Sequence, residues 1–597
     1  YFADWGCVQQ ETAFYSFSES AFIRISDEMI GENEVIEGYR AVTEGVPRNY
    51  VAALADKEWG DAARTEWKTI ADARCIVEVD PQLAREEIEK NGADLVILFP
   101  VYEEKLKEGK IVKKVRLVGN GKTHYGAGKT YSPTPSREEL FTLLHLIGTF
   151  DWEYIHIDEI RAFLNAPYKG ENKVYTRLKG DKKIYEVIGA LYGLKTSPRD
   201  YNSVVAERLK DMGYSRLHLC SCIYIKREGD ALVIVFDFVD DFIVTSNRTE
   251  SILTFISEFR ERANTTEPEW NQSNLLGMKI TRNREKRAMC LSVENKIKEL
   301  AERFLDLNKL KKRDKPIPDG GFIVREDDLD DLGEDGEFIS GEDIKEYMRL
   351  VGALLWISGV RHDSVYAMMY LTWFTKSPRR HHMNMAIHLL EYLYSTRSIE
   401  LVLGGRKKIT IDGHTDASLG TGRKGRSITA QIVSCGGGAI IAKATSTAQV
   451  RLSSFTAELD GLVNVIKSGL LLDNILKEMG ITVEDVQLWT DNEALSDFVN
   501  GDRVAKAVRS MELRMWFAQE HVKMGNVKVN FMRGKEIPSD KLTKITSVKE
   551  FEDFRYFVMG TFLLDANMST VVDDSLAGGD HENAKNDCIT SDQAEKN

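Results

Sequence analysis

The sequence predicts an α/β protein built from several domains. The chain has 597 residues, which is more than a single hydrophobic core usually serves. Residues 46–318 mix short strand-like runs with helical runs, and residues 409–560 alternate between the two. A hydrophobic content of 43% and a charged content of 29% are typical of globular proteins. Length, composition and the order of the elements together favour a multi-domain α/β architecture.

Acidic residues are concentrated in three segments, so the net charge of −13 hides a basic remainder of the chain. Residues 1–45, 319–346 and 565–597 carry net charges of −7, −10 and −6, and the remainder carries +10. The densest basic runs are RNREKR at 282–287, KLKKRDK at 309–315 and GRKGR at 422–426. Basic stripes suit a polyanionic partner, while each run taken singly also fits a solvated surface.

The sequence argues against secretion and membrane insertion. No apolar stretch approaches the roughly 18 uncharged residues that a membrane span needs, and YFADWGCVQQ has no basic region followed by an apolar one. The seven cysteines are scattered and form no CxxC pair, which favours reduced thiols in an intracellular protein. Because the first residue is Tyr1, we expect a trimmed product of a longer precursor.

Two neighbouring carboxylates, Asp240 and Asp241, stand where the apolar run ALVIVFDFV should turn. An acid pair at such a turn is most often solvated turn chemistry. Upstream, WEYIHIDEIRAFLNA predicts a second strand that ends at Asp158. If the two strands pair, Asp158 and Asp240 converge with Asp241 beside them, as a site for two Mg²⁺ ions requires. Phe163 would then lie near the floor of the pocket, although alone it would be a core aromatic.

A second set of acids lies in the C-terminal part of the chain. Residues 409–444 contain three strand-like runs separated by Gly-rich turns, which is typical of three antiparallel strands. A helix capped by serine is predicted from SSFTAELDG, and VEDVQLWTD predicts a strand that ends in an acid. The acids at or near the ends of these elements are Asp416, Glu458, Asp491 and Asp540. Each alone would be a surface charge, but the ordered set is suited to two divalent cations and phosphodiester hydrolysis.

A series of short motifs runs in order from about Pro47 to about Asp553. The motifs are EWGDAARTEW near 58, KKVRLVGNG at 113–121, YSPTPSREEL at 131–140, IDEIRAFLNA at 157–166, ALYGLKTSPRDY at 190–201, FVDD at 238–241, LLGMKITR at 275–282, YMRLVGALLWISGVRHDSVYA at 347–367, SSFTAELDG at 453–461, TDNEAL at 490–495 and SDKLTK at 539–544. Each motif alone is weak. Together they resemble the polymerase and ribonuclease H portion of copia-type LTR retrotransposon polyproteins.

The resemblance implies a polymerase right hand of palm, fingers and thumb, followed by a connection and a ribonuclease H-like α/β domain. The implied divisions are an N-terminal extension at 1–45, fingers and palm at 46–255, thumb at 256–318, an acidic insertion or linker at 319–346, a connection at 347–405, a ribonuclease H domain at 406–560 and a disordered acidic tail at 561–597. Two alternatives stay open for the extension: a remnant of an upstream integrase region, or an ordered segment that packs on the fingers.

The resemblance also assigns roles to individual residues. It makes Asp158, Asp240 and Asp241 the polymerase triad, and Phe163 the steric gate that collides with a ribose 2′-hydroxyl. Lys114 and Arg116 match finger residues near the incoming triphosphate, where charge-assisted hydrogen bonds to phosphate form. The four acids of the ribonuclease H site are matched by Asp416, Glu458, Asp491 and Asp540. Each of the two sites is expected to bind two Mg²⁺ ions, with Mn²⁺ as the alternative cation.

The implied function is a reverse transcriptase that copies retrotransposon RNA into DNA and degrades RNA in RNA:DNA hybrids. The expected partners are an RNA template, a DNA or tRNA primer, the hybrid and dNTPs, with integrase and capsid of the same element as further candidates. The expected location is a cytoplasmic virus-like particle, with nuclear entry as a further option.

Two alternatives stay open. One is a catalytically inactive, domesticated or decayed copy that binds nucleic acid or builds a particle, and the other is a DNA-templated polymerase with the same palm. The chain departs from the family at Thr196, where Gln is common, and in AKAVRSMELR at 505–514, which lacks the usual His. Neither departure removes a predicted metal ligand.

Overall fold

The structure is a computed structural model that describes residue 47 and residues 50–107, 110–179, 181–405, 408–501 and 512–565. The predicted extension at 1–45, the tail beyond 565 and most of the 505–514 stretch lie outside the described residues. The described chain divides into two compact units. The first unit consists of the described residues up to Leu140 together with Trp152–Leu276. The second unit consists of Phe141–Asp151 together with the described residues from Gly277 onward.

The first unit combines helices with two sheets. Its helices are α1 Tyr50–Ala55, α2 Lys57–Asp72, α3 Pro81–Lys90, the start of α4 Arg137–Phe150, α5 Ser197–Asp211 and α6 Thr249–Arg260. Its strands are β1 Ile76–Val79, β2 Asp94–Lys107, β3 Lys110–Gly119, β4 Glu153–Asp158, β5 Val174–Leu178, β6 Ile184–Val187, β7 Ser215–Arg216, β8 Ile223–Glu228, β9 Ala231–Phe238, β10 Asp241–Ser246, β11 Glu269–Trp270 and β12 Asn274–Leu275.

The two sheets of the first unit have different strand orders. One has the order β1-β6-β5-β2-β3, and the other has the order β11-β4-β10-β9-β8-β7. Every residue of β9 is buried, including Asp237, and its other residues are all apolar, so the strand has no alternating pattern. Helices α5 and α6 pack against the second sheet through Tyr201, Val205, Phe255 and Phe259. This core fixes the position of the hairpin formed by β9 and β10.

The second unit is mainly helical in its first part, which also contains three short strands, and α/β in its second. Its remaining helices are α7 Glu294–Phe304, α8 Glu326–Asp330, α9 Glu342–Ser358, α10 Val365–Thr372, α11 Arg380–Ser395, α12 Ser454–Glu478, α13 Glu493–Asn500, α14 Glu512–Lys523 and α15 Val548–Val558. Its strands are β13 Met278–Asn283, β14 Ala288–Ser292, β15 Leu401–Gly404, β16 Ile409–Ser418, β17 Ile428–Ser434, β18 Ala439–Ser446, β19 Val483–Thr490 and β20 Lys528–Phe531. Among the described residues, no helix has the length and apolar character needed to cross a membrane.

The C-terminal sheet of the second unit has the order β18-β17-β16-β19-β20. Strands β16, β17 and β18 are antiparallel, as the sequence predicts, while β19 runs parallel to both β16 and β20. Helix α12 begins where the sequence predicts, because the Ser453 side chain accepts a hydrogen bond from the Thr456 amide. Gly461 lets this helix lie close to β16, since a Cβ there would sit 2.5 Å from the Thr415 hydroxyl.

The acidic segment at 319–346 is largely exposed, but it is anchored to the helical part of the second unit. Leu329 of α8 is fully buried. Arg379 pairs with Asp330 at 2.6 Å and with Glu326 at 3.3 Å. At the start of the segment, Phe322 stacks on Tyr370 with ring centroids 4.0 Å apart. The segment therefore packs as part of this unit, although its composition is typical of a solvated linker.

A fully buried ion pair lies in the helical part of the second unit. The Arg361 guanidinium donates to both carboxylate oxygens of Asp363, at 2.9 and 2.6 Å, and neither side chain is exposed. Arg361 also donates to the Thr396 carbonyl at 2.9 Å, and the Tyr392 hydroxyl donates to Asp363. Two buried charges are tolerated when hydrogen bonds of this kind satisfy both partners.

We predict that Asp363→Asn destabilises the protein by about 3–5 kcal/mol, because the Arg361 charge would stay buried without a counter-charge. Urea unfolding of the full chain measures the change. The matched control is Asp61→Asn, which removes the exposed partner of Arg64 and should change stability by no more than about 0.5 kcal/mol. Equal effects of the two substitutions would contradict the structural role of the buried pair.

Candidate active sites

The first candidate site lies at the turn between β9 and β10. Residues Val239 and Asp240 form a two-residue turn, because Phe238 and Asp241 are register partners on the two strands. Val239 has a φ of 68°, which is strained for a β-branched residue. Strand β4 pairs with β10 so that Asp158 lies directly opposite Asp241. The pairing predicted from sequence is therefore present, and it brings the end of β4 to the acidic turn.

Asp158 and Asp241 interact directly. Burial, a hydrogen bond with Asp241 and the charges of Asp241 and Asp240 raise the pKa of Asp158. Burial alone would raise the pKa of Asp241, but hydrogen bonds from His156 and Asp158 lower it below the usual value. The His156 Nε2 atom lies 2.9 Å from Asp241 Oδ1. The pair is therefore an acid hydrogen-bonded to a carboxylate, as expected when like charges are crowded together.

Asp240 joins the same site from the exposed side of the turn. Its carbonyl accepts a hydrogen bond from the Glu159 amide at 2.8 Å, which ties the turn to the residue after Asp158. Partial desolvation and the charge of Asp241 raise the pKa of Asp240, while Arg116 and Lys114 lower it. The predicted basic pair on β3 therefore exerts its field on the acidic turn.

Phe163 lies in a short 3-10 helix, Ala162–Asn165, and is partly buried against two tyrosines. Its ring makes edge contacts with Tyr192 at 5.4 Å and with Tyr201 at 5.8 Å. The Arg116 guanidinium lies over the ring of Tyr192, 5.8 Å from the ring centroid. Burial raises the pKa of Tyr192 to about 12, so this ring stays neutral. The predicted gate residue and a predicted phosphate-binding residue thus flank one tyrosine.

Thr196, which stands where the family commonly has Gln, lies in the protein interior. Its side chain is fully buried immediately before helix α5. Among the described residues, its hydroxyl has no hydrogen-bond partner. A buried hydroxyl of this kind supplies packing rather than an exposed polar contact.

The second candidate site gathers acids from four elements of the second unit. Asp416 lies on β16, Glu458 on α12, and Asp491 directly after β19. One carboxylate oxygen from each of these three residues lies within 4.8 Å of the others. Asp540 lies in the 3-10 helix Pro538–Leu542. Because β16 and β19 are parallel neighbours, their carboxyl ends meet at one edge of the sheet, as the sequence predicts.

The carboxylates of this cluster are crowded and incompletely hydrogen-bonded. Burial, followed by the charges of Asp416 and Asp491, raises the pKa of Glu458 to about 9. Burial and the charge of Asp416 raise the pKa of Asp491 to about 6. Among the residues that the structure describes, Asp416 Oδ1 and Glu458 Oε2 are buried and accept no hydrogen bond. A buried carboxylate oxygen without a donor is costly unless a cation takes that place.

Basic side chains offset only part of this negative charge. Lys544 Nζ lies 3.7 Å from Asp416 Oδ1 and also pairs with Asp540, while Lys541 pairs with Asp540 at 3.2 Å. The Thr543 hydroxyl donates to the second oxygen of Asp416. The donor set consists of hard carboxylate oxygens, which fits Mg²⁺ or Mn²⁺.

The two clusters differ in compactness. In the part of the chain that the structure describes, Asp416, Glu458 and Asp491 form the one group of three acids that meets this 4.8 Å spacing. The aspartates of the first site are linked instead by the direct contact between Asp158 and Asp241.

Sequence reasoning missed several neighbours of the acids. His156 shares the face of β4 with Asp158 because residues two apart on a strand point the same way, so this signal was available. Lys544 was also detectable, since it follows Asp540 by four residues. Glu159 was not singled out, yet it is buried beside Asp158 and pairs with Arg208, 49 residues away. No local pattern indicates that pairing.

Comparisons with known proteins bear on residues in both units. The family described as "Reverse transcriptase (RNA-dependent DNA polymerase)" matches residues 96–308. The Retrovirus-related Pol polyprotein from transposon TNT 1-94 of Nicotiana tabacum is 24% identical over 495 residues, which cover 78% of this chain and 36% of that protein. The transposon Ty1-DR6 Gag-Pol polyprotein of Saccharomyces cerevisiae is 24% identical, with coverages of 74% and 26%. The chain thus spans about a quarter to a third of these relatives.

A solved structure of a foamy viral protease-reverse transcriptase in complex with double-stranded DNA has a TM-score of 0.46 and 10% sequence identity. The match covers 79% of this chain and 69% of that one.

The hairpin that carries the acid pair therefore lies within a reverse transcriptase domain. The predicted resemblance is confirmed: residues 96–308 match the reverse transcriptase family, and the chain is similar to Pol polyproteins of copia-type transposons.

We predict that Glu458→Gln makes the second unit more stable without divalent cations and removes its stabilisation by Mg²⁺. A neutral amide avoids the free-energy cost of burying the Glu458 carboxylate or protonating it on folding, and its carbonyl can still accept the Ala417 amide hydrogen bond. In the native chain, Mg²⁺ at about 100 times its dissociation constant should add about 2.7 kcal/mol of protection from hydrogen exchange to β16 amides.

The matched control for this experiment is Glu484→Gln at an exposed acid on β19. It should leave the Mg²⁺ response unchanged. Equal protection by Mg²⁺ in Glu458→Gln and in the native chain would argue against a cation at this cluster.

Proposed function

We propose that the chain is an active reverse transcriptase with two metal-dependent sites, one that synthesises DNA on RNA or DNA templates and one that cleaves RNA in RNA:DNA hybrids. The observation that carries the proposal is the register of β4 against β10, which sets Asp158 opposite Asp241 inside the domain that matches reverse transcriptases. The cluster of Asp416, Glu458 and Asp491 supports the second activity.

In the polymerase site, Asp158 and Asp240 are the principal ligands for two Mg²⁺ ions, and Asp241 is the auxiliary one. When bound, the cations would lower the pKa of the primer 3′-hydroxyl and neutralise the triphosphate. Lys114 and Arg116 bind the triphosphate of the incoming nucleotide. Phe163 closes the sugar pocket and excludes a 2′-hydroxyl, which selects dNTPs.

In the nuclease site, Asp416, Glu458, Asp491 and Asp540 hold the cations that activate water for attack on the RNA phosphodiester. The hybrid is selected by backbone shape and by 2′-hydroxyl contacts, since side chains cannot reach the base edges in its deep, narrow major groove. Lys544 approaches two of these acids and limits their mutual repulsion.

The proposal extends to the partners and the location. The substrates are an RNA template with a DNA or tRNA primer, and we propose integrase and capsid of the same element as further partners. We propose that the reaction takes place in a cytoplasmic virus-like particle, and entry of the protein into the nucleus is a further part of this proposal.

We predict that Asp240→Asn lowers primer extension by about 100-fold or more on RNA and DNA templates, because a metal ligand is lost. Duplex affinity should change little, since it rests on many basic contacts to the backbone. Asp230→Asn, at an exposed residue in the β8–β9 hairpin, is the control and should extend normally. A native chain inactive on both templates would favour the inactive copy, and one active only on DNA would favour the DNA-templated polymerase.

We predict that Asp416→Asn abolishes cleavage of an RNA:DNA hybrid while primer extension persists, because the two sites use separate acids. Cleavage of a labelled hybrid and extension of a primer are measured on the same preparation. Asp485→Asn, at a surface ion pair on β19, serves as the control for cleavage. Loss of extension together with cleavage would contradict the division into two sites.

A further inference from the structure

A buried carboxylate, Glu159, links the acidic turn to the segment that carries Phe163. Glu159 directly follows Asp158, and its side chain has no exposure. Its amide donates to the Asp240 carbonyl at 2.8 Å, so its backbone is fixed to the turn. The side chain points away from this contact to three donors on other segments. The residue therefore connects the acidic turn with its supporting core.

The Glu159 carboxylate is saturated with hydrogen bonds. Oε1 accepts from Asn165 Nδ2 at 2.8 Å and from Arg208 at 3.3 Å. Oε2 accepts from the Tyr201 hydroxyl at 2.8 Å and from Arg208 at 2.5 Å. A buried charge with all its acceptor sites occupied holds its neighbours in one arrangement, because no alternative arrangement pairs all of them.

The three residues that donate to Glu159 are connected to Phe163 through the chain, through a ring contact or through helix α5. Asn165 ends the 3-10 helix that carries Phe163. The ring of Tyr201 forms one wall against the Phe163 ring, at 5.8 Å and nearly perpendicular to it. Arg208 lies two turns beyond Tyr201 on α5 and completes the same carboxylate contact. Glu159 thus fixes both the segment that bears the ring and the wall behind the ring.

We infer that Glu159 is a positioning residue for sugar selection, which sets the Phe163 ring at the depth that separates deoxyribonucleotides from ribonucleotides. The inference rests on the proposed function, in which Phe163 is the steric gate. A steric gate depends on position more than on chemistry, and a misplacement of about 1 Å at an active site can change the reaction rate by about 100-fold.

In Glu159→Gln the side chain keeps its shape but places an amide NH₂ against donors on one side. Arg208 contacts both carboxylate oxygens, so in either orientation of the amide one of its N–H groups faces a donor, and its counter-charge is lost. The hydrogen bonds that hold Asn165 and Tyr201 must then rearrange, so the gate segment shifts. We expect discrimination, measured as the ratio of kcat/KM for a dNTP to that for the matching rNTP, to fall by about 10-fold or more. The matched control is Glu207→Gln, which changes an exposed acid next to Arg208 on helix α5 and should keep the native ratio.

A double-mutant cycle separates positioning from a general structural role. If Glu159 acts through the ring, Glu159→Gln should leave the ratio unchanged in a Phe163→Ala background. A further fall in that background, or an unchanged ratio in Glu159→Gln alone, would overturn the inference. If Phe163→Ala itself leaves the ratio unchanged, the proposed gate fails instead, so the two failures are distinguishable.

Asn165→Ala keeps the test decisive if Glu159→Gln does not fold. Asn165 is exposed, and the substitution removes only the hydrogen bond that holds the gate segment to Glu159 and a weaker one to the Ile160 carbonyl. The same fall in discrimination is expected, again absent in the Phe163→Ala background. A native ratio in Asn165→Ala would overturn the inference.

Discussion

Repulsion between closely spaced carboxylates is the constraint around which both candidate sites are organised. Asp158 and Asp241 lie opposite each other on paired strands, and burial together with these neighbouring carboxylates raises the pKa of Asp158. In the second unit burial, followed by the charges of Asp416 and Asp491, raises the pKa of Glu458 to about 9. Arrangements of this kind cost folding free energy when no cation is bound. The fold supports them because the strands and helices that carry the acids are fixed by apolar cores elsewhere.

The same residue types are used in an opposite way elsewhere in both units. Glu159 next to the first site and Asp363 in the helical part of the second unit are also buried acids, but each is paired with an arginine and fully hydrogen-bonded. These two carboxylates hold structure, whereas Asp416 and Glu458 in the second site each keep a buried oxygen that accepts no hydrogen bond from the described residues. Burial alone therefore does not separate a structural acid from a functional one.

Much of this arrangement could be predicted from the sequence because it follows from local rules. Strand ends marked by acids, a serine cap and the antiparallel order of β16, β17 and β18 could all be predicted, as could the pairing of two apolar strands that brings Asp158 to the acidic turn. The register that sets Asp158 opposite Asp241 was not predicted. The pairing of Glu159 with Arg208 was not readable, since contacts between distant segments leave no periodic signal. The anchoring of the acidic segment by Arg379 escaped prediction for the same reason, because its composition resembles that of a solvated linker.

The most direct test of this account is to locate divalent cations in the protein itself. Anomalous X-ray diffraction from crystals of the full chain soaked with Mn²⁺ would give the cation positions independently of any activity. The account predicts anomalous density between Asp158 and Asp240 and within the cluster of Asp416, Glu458 and Asp491. Absence of density from both places, at a Mn²⁺ concentration that saturates the soaked crystal, would contradict the claim that these acids are gathered to bind metal.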